Sequence, residues 1–278
     1  MGYEKPGDII RDAYKNKYGV AAFNAFNYET MKFAVEAADQ AGKPVILQHY
    51  PGWYDYISFE TAAAIAKSLA AKAKIPVGLH LDHCHDLETI KHAMRSGFLS
   101  VMYDGSRLPF EENIQKTKEV AEAAKEFGAD VEAELGNIGS AANVAEYTDK
   151  SKFTDPGDAL RFFSETGILS LAVAVGNAHG SYAALPNLDF PRIRTISESL
   201  KTPIVLHGGS GIPDEQLKKA VSCGVAKINV ATDYFRAFYE AAKAYAGGQG
   251  NPDIFSCMRF SQKEMTKFLA EKINLFYI

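Results

Sequence analysis

"PVGLHLDHCHDLETIKHAMRSGFLSVMYD" occupies residues 76–104 and reads as one strand–helix–strand unit. "PVGLHL" (76–81) is a short apolar run. "LETIKHAMRSG" (87–97) carries apolar residues at helical spacing and closes on a glycine suited to a helix C-terminus. "LSVMYD" (99–104) is the next apolar run. Where the first strand gives way to the helix, Asp82, His83 and His85 crowd into four positions.

The plan repeats on both sides of this unit. Further apolar runs are "GVAAF" (19–23), "PVILQ" (44–48), "DVEAEL" (130–135), "LSLAVAV" (169–175), "TPIVLH" (202–207) and "AKINV" (226–230). Helical patterns lie between them: "YETMKFAVEAADQAG" (28–42), "FETAAAIAKSLAAKAK" (59–74), "EENIQKTKEVAEAAKEFG" (111–128), "PGDALRFFSETG" (156–167) and "PDEQLKKAVSCG" (213–224). Eight alternating units without an internal linker predict a single-domain α/β protein, a (β/α)8 TIM barrel spanning residues 1–278. An open doubly wound sheet is the alternative. The chain after Gly247 reads as a linker and a C-terminal helical extension, "SQKEMTKFLAEKINLF" (261–276). "GNIGSAANVAEYTDKSKFT" (136–154) lacks apolar periodicity, and loops of that length are uncommon unless functional, so a mobile loop is expected there.

Composition narrows the class. A net charge of −4 argues against a general nucleic-acid binder. No run reaches transmembrane length, and "MGYEKPGDII" has no signal-peptide apolar region. Pro6 also breaks the myristoylation pattern. Cys84, Cys223 and Cys257 form no motif and are odd in number, which suits a reducing cytoplasm.

In a barrel of this kind, chemistry collects at the C-terminal ends of the strands. Strand one runs into Asn24 and Asn27, strand three into Asp82 and His83, and strand four into Asp104. Strand five carries Glu132 and Glu134 on one face. Strand six leads to "GNAHG" with His179, strand seven to "HGGSG" with His207, and strand eight to "NVAT" with Asn229 and Thr232. Histidines from three strand ends match the ligand set of a catalytic zinc site, three protein ligands and an open position. A lone strand-end histidine is ordinarily structural; three at equivalent ends make coincidence a poor account. His80 reads as a packing residue one layer deeper, or as support for a ligand. His85 is assigned to the turn and His92 to a helix surface, while His49 lies within reach of the rim. The turn Gly208, Gly209, Ser210 follows strand seven, a common phosphate site in such barrels.

The segments "FNAFN", "HLDHCH", "SVMYDGSRLPFEENIQKT", "VEAELGNIG", "LAVAVGNAHGSY", "NLDF", "VLHGGSGIPDEQ" and "KINVAT" resemble the class II, metal-dependent ketose-bisphosphate aldolases over nearly the whole chain. The resemblance implies a TIM barrel, a homodimer or homotetramer, and a cytoplasmic lyase of carbohydrate metabolism such as glycolysis. It implies Zn2+ on His83, His179 and His207, with Asp104 and Glu134 at a second or alternative divalent metal position, and admits a monovalent cation. Asp82 matches the catalytic acid/base. Gly180, Gly208, Gly209, Ser210, Asn229, Val230, Ala231 and Thr232 match the site for the phosphate of dihydroxyacetone phosphate. The implied partner is a phosphorylated ketose, tagatose or fructose 1,6-bisphosphate, giving an aldehyde such as glyceraldehyde 3-phosphate as co-product; no nucleic acid or membrane is implied.

The chain departs from that pattern at named positions. The family usually has an acidic residue in the mobile loop where this chain has Ala142, with Glu146 four residues on. Tyr50 replaces a small hydroxyl residue and is expected to narrow the pocket. Ala231 is similar to tagatose-type rather than fructose-type enzymes, and Arg236 is the nearest basic candidate for a second phosphate. Lys227 has no forced role, because a metal-dependent aldolase needs no Schiff base. These departures leave two alternatives: an aldolase for another phosphorylated keto sugar or sugar acid, and a non-catalytic metal and sugar-phosphate binder.

Overall fold

The computed structural model describes residues 2–248 and 251–278. Eight strands run β1 (Val20–Asn24), β2 (Val45–His49), β3 (Val77–Cys84), β4 (Ser100–Tyr103), β5 (Asp130–Leu135), β6 (Ser170–Val173), β7 (Ile204–Leu206) and β8 (Val225–Val230). They form a closed parallel barrel in chain order. β8 pairs back onto β1, with Val20 opposite Lys227 and Phe23 opposite Val230, which excludes the open sheet. Strand faces toward the surrounding helices are apolar, as expected where both faces of a parallel sheet are covered.

The helices are α1 (Pro6–Asn16), α2 (Tyr28–Ala41), α3 (Phe59–Ala70), α4 (Leu87–Ser96), α5 (Phe110–Glu126), α6 (Val144–Thr148), α7 (Pro156–Thr166), α8 (Phe190–Leu200), α9 (Asp214–Ser222), α10 (Thr232–Gly248) and α11 (Ile254–Leu275). Their ends follow local chemistry. Asn27 and Thr30 form a capping box at α2, and Asp86 accepts the Thr89 N–H at α4. Gly42, Gly97 and Gly167 end α2, α4 and α7 in the left-handed conformation.

The sequence pattern does not mark α1, α8 or the short α6, which lies inside the stretch expected to be a loop. α1 closes the N-terminal end of the barrel: Ile9, Ile10 and Ala13 pack with Val20, Ala22, Ile46 and Ala226. The approach is close enough that a Cβ on Gly7 would lie 1.9 Å from Asp130 Oδ2. Lys5 and Arg11 each reach Asp130 Oδ1 at 3.1 Å. The C-terminal helix starts at Ile254 rather than 261 and buries Met265, Leu269 and Ile273 in the main core, with Phe276 just beyond its end. Residues 249 and 250 of the expected linker lie outside the described residues. Among the described residues, no helix is long and apolar enough to cross a membrane.

The upper interior of the barrel is polar. Asn24, Gln48, His80, Asp82, Glu132, Glu134, His207, Lys227 and Asn229 are all buried. Burial of so many polar groups carries a desolvation cost unless they satisfy each other or a ligand. That concentration marks the site.

Candidate active site

β3 presents two adjacent residues to the barrel mouth, which a regular strand cannot do because neighbours point to opposite faces. The register shifts between Leu81 and Cys84, and His83 has φ 48°. This bulge with a left-handed residue swings His83 inward beside Asp82. A non-glycine side chain in that region carries backbone strain, of order 1–3 kcal/mol.

His83, His179 and His207 converge as the strand ends suggested. One ligand atom from each lies within 4.8 Å of the others, and His83, Asp104 and Glu134 form a second such group. The ring centroids of His83 lie 4.7 Å from His179 and 4.6 Å from His207. His83 Nδ1 meets Asp104 Oδ2 at 2.9 Å, which leaves Nε2 for another partner. Asp104 Oδ1 accepts from the Ser106 backbone at 3.1 Å and hydroxyl at 2.7 Å. His179 Nε2, His207 Nδ1 and Glu134 Oε2 are buried and have no hydrogen-bond partner among the described residues. Glu134 Oε2 lies 3.4 Å from His207 Nδ1, and the three histidines form one group close enough together to hold a divalent cation.

The support beneath them was not legible in the sequence. His207 Nε2 meets Glu132 Oε1 at 2.9 Å, and Lys227 Nζ reaches the two Glu132 oxygens at 3.1 and 2.8 Å. A carboxylate on the far nitrogen fixes the ring and its tautomer. Lys227 is fully buried in this pair. His80 Nδ1 meets Ser100 Oγ at 2.8 Å, and its Nε2 lies 3.9 Å from Glu132, the deeper layer expected for it. Asn177 was also missed: its Nδ2 donates to the His207 carbonyl at 3.0 Å and its Oδ1 accepts the Val175 N–H. It ties the loop carrying His179 to the strand end carrying His207.

The charges follow from this packing. Burial disfavours the charged form of His207, but Glu132 and Glu134 outweigh it and raise its pKa to about 10. Burial, with the nearby His83 and His207, lowers His179 to about 3. Burial also works against a charged His83, yet Asp82 and Asp104 leave its pKa raised. Asp82 resists burial through His83, His207 and Lys227, which hold its carboxyl below the usual range.

Asp82 Oδ2 accepts from Asn24 Nδ2 at 2.8 Å and Oδ1 from Asn229 Nδ2 at 3.3 Å. Asn24 was only a strand-end residue in the sequence reading; its position was the available signal. Asp82, His83, His179, Gly180, Gly208, Ser210, Asn229, Ala231 and Thr232 line one cavity of about 160 Å³ together with Asn24. Gly208 has φ 63°, and a Cβ there would lie 2.0 Å from the Ala178 carbonyl oxygen. Gly209 donates its N–H to Asn229 O at 2.9 Å, so that amide is not free for an anion. Its contribution is space: a Cβ would lie 2.6 Å from Ile228. Val230 is buried at the end of β8.

Other expectations are corrected. Tyr50 is exposed, packs on Trp53, and does not line this cavity, so the expected narrowing is absent. His49 does not reach the rim. It is buried among Trp53, Phe59 and Phe98, and burial lowers its pKa to about 4. Arg236 bonds the Ser181 hydroxyl and lines a separate cavity with Gly180 and Gly211. His85 Nδ1 meets the Asp104 carbonyl in the turn, and His92 pairs with Glu60 on the surface.

The long loop is docked. Ala141 N donates to His179 O at 2.8 Å, and His179 N to Gly139 O at 2.9 Å. Tyr147 is buried against Tyr182, and its hydroxyl donates to Ala184 O at 2.9 Å. Glu146 accepts from the Ser140 N–H and from Asn143 Nδ2.

Fold and site together define a closed (β/α)8 barrel whose mouth gathers three histidines that could hold a metal ion. Residues 4–278 match the family described as fructose-bisphosphate aldolase class-II, and the chain belongs to that family of metal-dependent lyases. The YdjI aldolase of Escherichia coli K12 has a similar structure, with 36% identity, TM-score 0.89, and coverage of 99% of this chain and 97% of that one. The fructose-bisphosphate aldolase of Campylobacter jejuni shares the fold at 24% identity and TM-score 0.86, covering 99% of this chain and 95% of that one.

Proposed function

We propose that this aldolase cleaves a ketose carrying a 1-phosphate into dihydroxyacetone phosphate and an aldehyde, with Asp82 as the acid/base. The observation that carries the reading is the Asp82 carboxylate, held by Asn24 and Asn229 in the same cavity as His83, His179 and the glycine turns. Asp82 takes the proton from the C4 hydroxyl as the C3–C4 bond breaks, the electron pair passes to the C2 oxygen as an enediolate, and C3 then takes up a proton from solvent to give dihydroxyacetone phosphate. His83, His179 and His207 would hold Zn2+, which when bound would supply Lewis-acid stabilisation of that charge, and Asp104 and Glu134 would offer an alternative position for a divalent cation. Gly180, Gly208, Ser210 and Asn229–Thr232 hold the phosphate in the space that Gly209 leaves open, which fixes the reacting carbons against the site. Loop 136–154 opens to admit substrate. Lys227 stays in its ion pair with Glu132 and forms no Schiff base. The protein works in the cytoplasm as a homo-oligomer.

The test is release of dihydroxyacetone phosphate from tagatose and fructose 1,6-bisphosphates, with a chelator and with added zinc. Chelator-sensitive release is expected, faster from the tagatose compound because of Ala231. Loaded enzyme that releases nothing from either sugar moves the assignment to another phosphorylated ketose or sugar acid. The specific residue favouring that second reading is Ala142, which carries no acid into the loop.

The support under His207 makes its own prediction. Glu132→Gln leaves buried Lys227 without its counter-charge, costing about 3–5 kcal/mol of stability. It also loosens the His207 ring, so zinc affinity is expected to fall about 10–100-fold. Competition with a chromogenic chelator measures the second effect apart from the first. Unchanged affinity in the folded variant would separate Glu132 from metal binding.

A further inference from the structure

Tyr182 lies just past His179, on the stretch between β6 and α8, and takes no part in the steps proposed for the reaction. Its hydroxyl sits between two strand ends. It accepts the Ala178 N–H at 2.8 Å and donates to the Gly208 carbonyl at 3.2 Å. Burial pushes the phenol above its ordinary value, so the hydroxyl keeps the proton it donates. The Gly208 carbonyl and the Gly209 N–H belong to one planar peptide unit, and that N–H donates to Asn229 O at 2.9 Å. The unit is therefore clamped at both ends, by Tyr182 on one side and by the β8 backbone on the other. Its orientation sets the space over Gly209 and the direction in which the chain enters Ser210.

Two ties join the chain after β6 to the end of β7. Asn177 holds the His207 carbonyl, on the side of the three histidines. Tyr182 holds the next carbonyl, on the side of the glycine turn. The Tyr182 ring is itself wedged. A Cβ on Gly211 would lie 3.1 Å from its Cδ2 atom. Tyr147, from α6 in the long loop, meets the ring edge to face, with centroids 5.2 Å apart and planes at 88°. Tyr147 is buried with Ala141 and Ala178, and its hydroxyl donates to Ala184 O at 2.9 Å and accepts the Ala184 N–H at 3.1 Å. Undocking the loop withdraws Tyr147 and removes that support from Tyr182.

We propose that Tyr182 is a positioning residue for the substrate's phosphate: it sets the Gly208–Gly209 peptide, and Tyr147 transmits docking of the long loop to it. The proposal rests on the phosphate assignment above. It makes phosphate binding and loop docking two halves of one event. Linkage makes the effect reciprocal, so bound phosphate steadies the loop as the docked loop tightens the turn.

The experiment titrates dihydroxyacetone phosphate calorimetrically into the zinc-loaded parent, Tyr182→Phe, Tyr147→Ala and the double variant. Phenylalanine keeps the ring and removes only the hydroxyl, which should raise Kd roughly 5- to 10-fold. Tyr147 does not line the cavity that holds the glycine turn, yet Tyr147→Ala should raise Kd roughly 3- to 10-fold through the clamp. The double variant should bind no more weakly than Tyr182→Phe, because both changes act on one clamp. Zinc content should stay at the parent level, since Asn177 still ties the histidine side. An unchanged Kd in Tyr182→Phe, or loss of its zinc, overturns the positioning role. Losses that multiply in the double variant overturn the link to the loop. If the parent binds no dihydroxyacetone phosphate, the phosphate assignment fails on its own account, and amide exchange in the unliganded proteins decides the clamp. The Gly209 N–H should then exchange several-fold faster in both single variants than in the parent, and unchanged exchange in either overturns it.

Discussion

A His179→Ala variant is expected to retain its fold, to bind no stoichiometric divalent metal, and to cleave substrate at least about 10³-fold more slowly. The rate estimate follows from the several kcal/mol that a Lewis acid supplies to a developing oxyanion, at 1.36 kcal/mol per tenfold. His179 is the proposed ligand best prepared for a cation. Its pKa of about 3 keeps the ring neutral at physiological pH, and its buried Nε2 has no partner among the described residues. The fold is expected to survive because the bonds that dock the long loop come from the His179 backbone, which alanine keeps. Metal content by elemental analysis and the rate of dihydroxyacetone phosphate release are the two readouts. A variant that lost its metal yet kept its rate would sink the metal-dependent mechanism.

Asp82→Asn is the second large effect, and it separates proton transfer from metal binding. Asparagine has nearly the same shape but cannot take the C4 hydroxyl proton. The expected loss is about 10²–10⁴-fold in kcat, the usual worth of a positioned acid/base. Metal should be retained. The Asp82 charge is what raises His83 most against its burial, so removing it favours the neutral ring that binds a cation. KM should move little, since the proposed phosphate turn Gly208–Ser210 is untouched and asparagine keeps one carbonyl oxygen to accept from Asn24 or Asn229. A variant with normal kcat, or one that loses metal along with activity, would show that Asp82 does something other than move a proton.

The barrel was legible because its physics is local. Each strand is a short continuous apolar run, and each of the assigned helices carries its own periodicity and stop signal. Loop positions at strand ends then follow from topology, which is why three histidines far apart in the chain gather as expected. α1 was missed although Pro6 and the run to Asn16 form it, because its apolar face covers a barrel end that exists only once all eight strands close. The Lys227–Glu132–His207 chain joins β8, β5 and β7 across the interior, and no spacing along the sequence encodes that distance. Asn24 and Asn177 share the problem: an asparagine near a turn reads as a turn residue until its partner is seen. Tyr50 differs again, since a position on the chain does not say which way a side chain turns, and this one packs outward onto Trp53.

The left-handed backbone at His83 has a consequence for how this protein would respond to selection. The bend brings the two proposed working side chains, Asp82 and His83, together at one strand end, and it does so by placing an imidazole side chain where glycine would rest more easily. Stability and chemistry therefore pull in opposite directions at this position. A campaign that rewarded thermal tolerance alone would drift toward glycine there and discard a histidine the barrel does not need in order to stand. What looks like a local imperfection in β3 is then the durability given up for the proposed use of His83.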